Sequence, residues 1–372
     1  GGLCFPPEVK LFFNQGGAPV KPWHYIGLDV HCQFTSLAAM TQSGRVTKRW
    51  QGPTTIPDLA EALCAVPRPR KVILEEGALA DWLLRNLQAH ADEVVVCEPR
   101  RNALIAKDSD KDDPIDAEKL ADLMRGGYIK VVHHPESQDR AIFKQHVGLY
   151  HQTVRHRVRE ANRSIAYLRR WGIFVSEAKL MMPKSRQDVL GRLPEDATVR
   201  ADFDTMLALY DVASEQEHKM RQRLLAQARQ NGLIKRWQEI PGVGWIRGAT
   251  FFVFLDTPWR FKTKAKLWRY MGIGLESQHS GVGPKMVHVC QKANRYLKAA
   301  ILGAARSATC TEEATTNPFA EQYWRWVTQG LSPRNARRNL ARSLAATLWS
   351  MWKTGDVYRP ELVGRDPSEP RS

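Results

Sequence analysis

Five short strand-like runs fall within the first hundred residues, after which strand signals stop, and this break constrains the fold more than any other feature. The runs span residues 24–31, 34–40, 45–50, 70–75 and 93–97, and helix-like segments occupy 56–65, 79–89 and 114–125. Opening strands in tight succession, followed by alternating helix and strand, predict a mixed sheet with helices on its faces over residues 23–132. From 133 to 235 the pattern changes to long periodic segments, 140–170 and 202–230. Val147, Tyr150, Val154, Val158, Ile165 and Leu168 recur there at helical spacing, which predicts a helical hairpin or coiled-coil arm. A third, mainly helical part runs from 236 to 355, with an N-terminal extension (1–22) and a tail (356–372) outside it. The expected fold class is therefore α/β followed by α.

Acidic residues stand at the ends of the predicted strands. Asp29 closes the run His24-Tyr25-Ile26-Gly27-Leu28-Asp29-Val30, and Glu75 closes Lys71-Val72-Ile73-Leu74-Glu75. An acid at the end of a buried run is costly without a partner. Asp113 and Asp116 lie three apart around Pro114, a residue suited to a helix's first turn, so both fall on one helical face. Four carboxylates at such positions suit one metal site, and Mg²⁺ prefers this all-oxygen company. Glu76 follows Glu75 directly and stays open as the alternative ligand, although Glu75 is the residue that ends the apolar strand. Asp110, Asp112 and Glu118 read as helix-terminal or solvated charges.

Charge narrows the choice of partner. The 372 residues carry 55 Lys and Arg against 39 Asp and Glu, a formal net charge of +16. Such an excess favours a polyanion, because each neutralised phosphate releases condensed counterions. The arm's first segment concentrates it: Arg140, Lys144, Arg155, Arg157, Arg159, Arg163, Arg169 and Arg170 stand against Glu160 alone. Lys262, Lys264, Lys266 and Arg269 interleave with Trp259, Phe261, Trp268 and Tyr270, a mixture that suits either phosphate contact with base stacking or plain amphipathic packing. Lys292 and Arg295 open a further helix, and Arg325, Arg334, Arg337, Arg338 and Arg342 crowd the C-terminal stretch with no acid among them, which suits DNA or RNA backbone contact or plain solvation. Trp324, Trp326, Trp349 and Trp352 are expected in the core or at subunit contacts. The turn Ile240-Pro241-Gly242-Val243-Gly244 before an apolar helix would expose backbone N–H groups to a phosphate or would simply start the helix.

Cysteine usage and hydropathy exclude other classes. Cys4, Cys32, Cys64, Cys97, Cys290 and Cys310 form no Cys-x-x-Cys pair, which argues against structural zinc and against a disulfide scaffold. No apolar run is long enough for a membrane span and no signal-peptide core is evident, so the chain is expected in the cytoplasm, associated with the nucleoid.

The segment Gly274-Leu275-Glu276-Ser277-Gln278-His279-Ser280-Gly281, read as part of a flexible loop, completes a series of motifs. The series also holds Gly27-Leu28-Asp29-Val30-His31, Glu75-Glu76-Gly77, Pro99-Arg100-Arg101, Asp113-x-x-Asp116-Ala117-x-x-Leu120-Ala121, the Ile-Pro-Gly-Val-Gly turn and Leu344-Ala345-x-x-Leu348-Trp349. Seven motifs in this order, covering residues 24 to 355, resemble the DEDD transposases of the insertion sequence 110 group, the bridge-RNA-guided serine recombinases. The resemblance implies a RuvC-like N-terminal domain of the RNase H type, a coiled-coil insertion and a C-terminal transposase domain. It implies that Asp29, Glu75, Asp113 and Asp116 bind Mg²⁺, with Mn²⁺ as a substitute, and that Ser280 is the nucleophile that becomes linked to DNA.

Further expectations follow from it. Donor and target DNA and a noncoding bridge RNA are the implied partners, contacted through Arg155, Arg159, Arg163, Lys262, Lys264, Lys266, Lys292 and Arg295. Exchange of four strands favours a homo-oligomer, a dimer of dimers, with Ser280 meeting the acids within one chain or between subunits. Two alternatives stay open on the residues alone: a structure-selective endonuclease that uses the four acids and water, and a catalytically idle nucleic-acid-binding protein.

Overall fold

Strand β1 (His24–Val30) is the axis of the N-terminal half, because neighbours pair with it on both edges in opposite senses. In the computed structural model, which describes residues 22–99, 113–135, 137–180, 182–278, 286–310 and 317–364, the chain divides between His134 and Pro135 into two compact units. The first holds a five-stranded sheet of order β3-β2-β1-β4-β5. Strands β2 (Phe34–Met40) and β3 (Val46–Pro53) add antiparallel, whereas β4 (Arg70–Glu75) and β5 (Glu93–Cys97) add parallel. The parallel strands hold continuous apolar runs at their centres, Val72-Ile73-Leu74 in β4 and Val94-Val95-Val96 in β5, because both their faces are covered.

Two layers of helix do the covering. On one face α1 (Ile56–Cys64) and α2 (Ala80–Leu87) bring Leu59, Leu63, Leu83 and Leu87 onto Ile26, Leu28, Val72, Leu74 and Val96. Thr55 caps α1 by accepting from the Asp58 N–H, and Pro57 sits in its first turn. On the other face α3 (Asp113–Arg125) buries Leu120 and Met124 with Ile73 and Cys97, and Tyr25 and Ile129 pack against them. Gly27 decides how close this helix comes. A Cβ there would lie 1.9 Å from the Ala117 carbonyl oxygen and 2.8 Å from the Ala121 nitrogen. Both alanines are fully buried, so α3 rests on bare β1 backbone.

In the second unit, α4 (Gln138–Arg170), α5 (Glu177–Leu180), α6 (Pro183–Arg192) and α7 (Ala197–Gln230) build the arm. Helices α4 and α7 contain 33 and 34 residues, about 50 Å each at 1.5 Å per residue. Phe143, Val147 and Tyr150 share a core with Leu224 and Ala228, and Leu168 shares another with Phe203 and Leu207, so the two helices run antiparallel. Between them α5 and α6 close a small head over Leu168, Ile173, Leu180, Val189 and Leu193. Arg157 links three helices there, pairing with both Glu177 and Glu217. This local acid pair was invisible in the charge count of the first segment because both partners come from other helices.

The arm's base merges with the C-terminal core. Trp237, which follows α8 (Gly232–Arg236), packs with Phe251 of α9 (Trp245–Leu255), Leu297 and Ile301 of α11 (Arg295–Ala308), and Leu340, Leu344 and Leu348 of α13 (Pro333–Thr354). Helices α10 (Lys264–Tyr270) and α12 (Pro318–Thr328) flank this centre. An antiparallel pair, β6 (Leu275–Gln278) and β7 (Met286–Val289), rises from it. The glycine-rich sequence across that region predicts a flexible loop. The four-residue strands are too short for a period-two pattern to register.

Two measurements test this architecture. Gly27→Ala is expected to force α3 off β1 and destabilise the first unit by about 1–3 kcal/mol, the cost of overpacking a filled core, as read by chemical denaturation. His151 donates or accepts 2.9 Å from the Thr250 hydroxyl and stacks on Tyr296. Burial first, and Arg155 second, push its pKa down from 6.5 to about 4. Its folded pKa is below the unfolded value, so the unfolded chain takes up more protons and the contribution is lost as pH falls from about 6.5 to about 4. Across that window the melting temperature is expected to fall with acid in the native protein and to fall less in His151→Gln.

Candidate functional site

Parallel pairing sets Leu28 beside Leu74, so the next residues, Asp29 and Glu75, are neighbours at the carboxyl ends of β1 and β4. Alternation along each strand puts Asp29 on the face of Tyr25 and Gly27, and Glu75 on the face of Ile73. Tyr25 and Ile73 belong to the cluster beneath α3, and both acids therefore face that helix.

The direction of α3 brings its first turn to the same place. Met124 and Leu120 lie with Tyr25, while Ala117 and Ala121 lie over Gly27. The helix thus runs opposite to β1. One turn back from Ala117, about 6 Å along the helix, is Asp113, its first residue. Asp29 is two residues past Gly27, about 6.6 Å along the strand. These equal displacements bring the helix's opening turn to the strand end. Asp116 shares that turn, half exposed and 3.6 Å from the Lys119 ammonium, while Glu118 pairs with Arg49 across the sheet.

The surroundings of Asp29 are built by the β1–β2 turn. His31 N–H donates to the Phe34 carbonyl at 3.0 Å, and the Thr54 hydroxyl donates to the His31 carbonyl at 2.7 Å. The imidazole stacks on Phe34 and places Nε2 3.3 Å from Asp29 Oδ2. On the other side of Asp29, its register partner on β2 is Ser36, 1% exposed. The Ser36 hydroxyl is buried without a hydrogen-bond partner among the described residues. An orphaned hydroxyl beside an acid is a group that a tightened carboxylate arrangement would satisfy.

Glu76 has different company. Its carboxylate is 2.7 Å from His134 Nε2, and the other ring nitrogen of His134 is 3.6 Å from Asp81. Asp81 in turn pairs with Arg85 at 2.7 Å. This His134 cluster, which the sequence analysis missed because its members lie 58 residues apart, holds Glu76 away from the α3 face and favours Glu75 as the member of the acid group.

Among the described residues, no three His, Cys, Asp or Glu side chains are already gathered as a cage for a metal ion. The nominated ligands are all carboxylates, the donor type a hard divalent cation prefers, and the buried Ser36 hydroxyl lies beside Asp29 in register.

Ser280 and His279 lie outside the described residues, as do Arg100, Arg101, Asp110 and Asp112. The strands leading to and from the serine, β6 and β7, are described, with Glu276 register-paired to His288. The nominated cations Arg155, Arg159, Arg163, Lys262, Lys264, Lys266, Lys292 and Arg295 are all exposed. Arg155 also donates to the Tyr296 hydroxyl at 2.9 Å and lies over its ring. In the 259–270 stretch Phe261 is buried and Trp268 and Tyr270 pack on the core, whereas Trp259 is 59% exposed. Amphipathic packing therefore accounts for three of the four aromatics. Trp349 is buried and Trp352 and Trp326 pack against the core, but Trp324 is 51% exposed.

Gly242 has a second role beyond the turn. Its φ is +82°, and a Cβ would meet the Ala304 carbonyl oxygen at 2.2 Å. The glycine is thus required by close packing of α11. Arg247, whose guanidinium donates to the Gly242 carbonyl and to Ser307, is drawn down in pKa by burial.

The chain matches two families of known proteins: residues 26–173 match the DEDD transposases of insertion sequence 110, described as "Transposase", and residues 235–323 match "Transposase IS116/IS110/IS902 family". It is also similar to "Putative transposase y4pF/y4sB" of Sinorhizobium fredii (strain NBRC 101917 / NGR234), with 23% identity over 296 residues, 78% of this chain and 75% of that protein. No helix among the described residues is long and apolar enough to cross a membrane.

The two glutamates can be separated by experiment. Mn²⁺ titration followed by electron paramagnetic resonance is expected to show affinity falling by about tenfold or more in Glu75→Gln and by much less in Glu76→Gln, as ligands and their supports differ. Equal losses would remove the distinction drawn from His134.

Proposed function

Because the chain belongs to the insertion sequence 110 family of transposases, we propose that it cuts and exchanges DNA strands through a serine-linked intermediate, assisted by a divalent metal and guided by RNA. One observation carries the chemistry: Asp29 and Glu75 end adjacent parallel strands beneath a helix whose first turn holds Asp113 and Asp116. The mixed order of the sheet and its acids at strand ends support a RuvC-like reading of the first unit. The arm and the helical remainder of the second unit support the coiled-coil insertion and transposase domain. Mg²⁺, when bound by Asp29, Glu75, Asp113 and Asp116, would supply charge neutralisation at the phosphodiester and a lowered barrier to ionising a hydroxyl.

The chain's own groups do the rest. Asp29 is held at the β1 end by strand pairing, and His31 and Ser36 flank it. The Ser280 Oγ would form a bond to phosphorus as the bond to one sugar oxygen breaks. The serine proton leaves and the departing sugar oxygen gains one, so a phosphodiester is exchanged for a phosphoserine ester. Its energy is conserved, and a sugar hydroxyl from the partner strand reverses the step to join new ends. A serine hydroxyl needs such activation because it is a weak nucleophile by itself. The guide RNA would bring sequence specificity by base pairing, with the exposed cations of the arm available for backbone contact.

The test is a covalent-adduct assay with Mg²⁺, labelled donor and target DNA and the cognate noncoding RNA, resolved on a denaturing gel. Label is expected to migrate with the protein, and to be lost in Ser280→Ala and in Asp29→Ala. Cleavage that persists in Ser280→Ala without any adduct would instead establish a hydrolytic nuclease. A reaction unchanged by omitting the RNA would remove the guide.

A further inference from the structure

A groove follows one face of α13. Ser343, Ala346, Thr347 and Ser350 form its floor, at spacings that share a helical face. Cavities of about 340, 390 and 210 Å³ follow one another along it: the first two share Lys264, Ser343 and Ala346 in their linings, and the last two share Trp268 and Arg342. The groove ends at Gly274 and Leu275, where β6 begins and the chain heads for the segment that holds Ser280.

Its charge is one-sided. Arg359 stands at one end, Lys264 in the middle, and Arg342 and Arg269 at the end nearest β6, against Asp356 as the one acid among the described lining residues. Hydrogen bonds fix Arg342 to the Ile273 carbonyl at 2.7 Å and to the Asn339 side chain at 2.7 Å. Burial first, and the nearby Arg338 second, draw its pKa down, the response of a cation withdrawn from water beside another cation. An anion in the groove would favour the charged form and offset that loss of water.

We propose that this groove carries the sugar-phosphate backbone of one DNA strand toward the β6–β7 hairpin. From Arg342 to Thr354 the helix rises about 18 Å, room for roughly five nucleotides at 3.4 Å per step. Small side chains on the floor leave the depth a backbone needs, and the cations space out along it as phosphates do. The contacts are with phosphate and sugar, so they set register and carry no sequence information. The assignment rests on the reading that DNA is cut at the hairpin, and its test is made on binding alone.

Fluorescence anisotropy of a labelled DNA duplex with the full chain, without divalent metal and over a salt series, measures it. Ser350→Trp fills the groove at an exposed position without changing charge, and is expected to weaken binding about tenfold. Lys264→Ala combined with Arg359→Ala is expected to reduce the slope of log K against log salt by about two, one for each lost phosphate contact. The double variant changes surface cations only, and decides the matter if Ser350→Trp does not fold. Binding within twofold of wild type with an unchanged slope would overturn the proposal. So would loss of affinity for a matched RNA with DNA affinity intact. Ser280→Ala is expected to bind as wild type does, so failure of the serine to form an adduct leaves this result standing or falling separately.

Discussion

The contact of α3 on bare backbone at Gly27 governs the first unit. Ordinary helix-on-sheet packing keeps the layers apart by the length of side chains on both. Here the strand contributes no side chain at the crossing and the helix contributes two alanines, so the separation collapses to backbone contact. Precision follows from this closeness. A helix standing off on long side chains can tilt or slide among rotamers, whereas one resting on backbone has nothing left to give. The acids of α3 and of the strand ends inherit that fixed geometry, four residues from the contact on one side and two on the other.

The second unit repeats the device. Gly242 faces Ala304 and Ala308 of α11 as Gly27 faces Ala117 and Ala121 of α3, with the alanines four apart in both cases. The positive φ of Gly242 adds a second reason for glycine there. What the turn 240–244 offers is thus a seat for α11 as much as any exposed N–H groups.

Much of this was legible in the chain. Five strand-like runs correspond to five strands in nearly the expected places, because buried strands leave apolar stretches at their centres and the turns between them are marked by Pro and Gly. The run at 45–50 proved to extend to Pro53, since an edge strand with one exposed face carries polar residues that composition cannot distinguish from a turn. Asp29 and Glu75 were found as acids ending apolar runs, and their adjacency followed only from strand register. Three features were hidden: the His134–Glu76 cluster, the Arg157 ion pairs and the short β6–β7 hairpin. The first two join residues distant in sequence, and the third is too short to carry a periodicity.

Charge illustrates the same limit from the other direction. Sixteen excess positive charges say that a polyanion is favoured but not where it lies, and the arginines of the arm divide once their partners are known. Arg157 is neutralised inside the head and Arg140 donates to the Asp256 carbonyl at 2.7 Å, so neither is free for a phosphate without breaking a native contact. Arg159, by contrast, is exposed on the same helix. A cation already held by a carboxylate gains little from a phosphate, since it must lose one anion to take the other. Affinity for a nucleic acid therefore depends less on the number of arginines than on how many the fold leaves uncommitted, and that quantity is set by tertiary contacts.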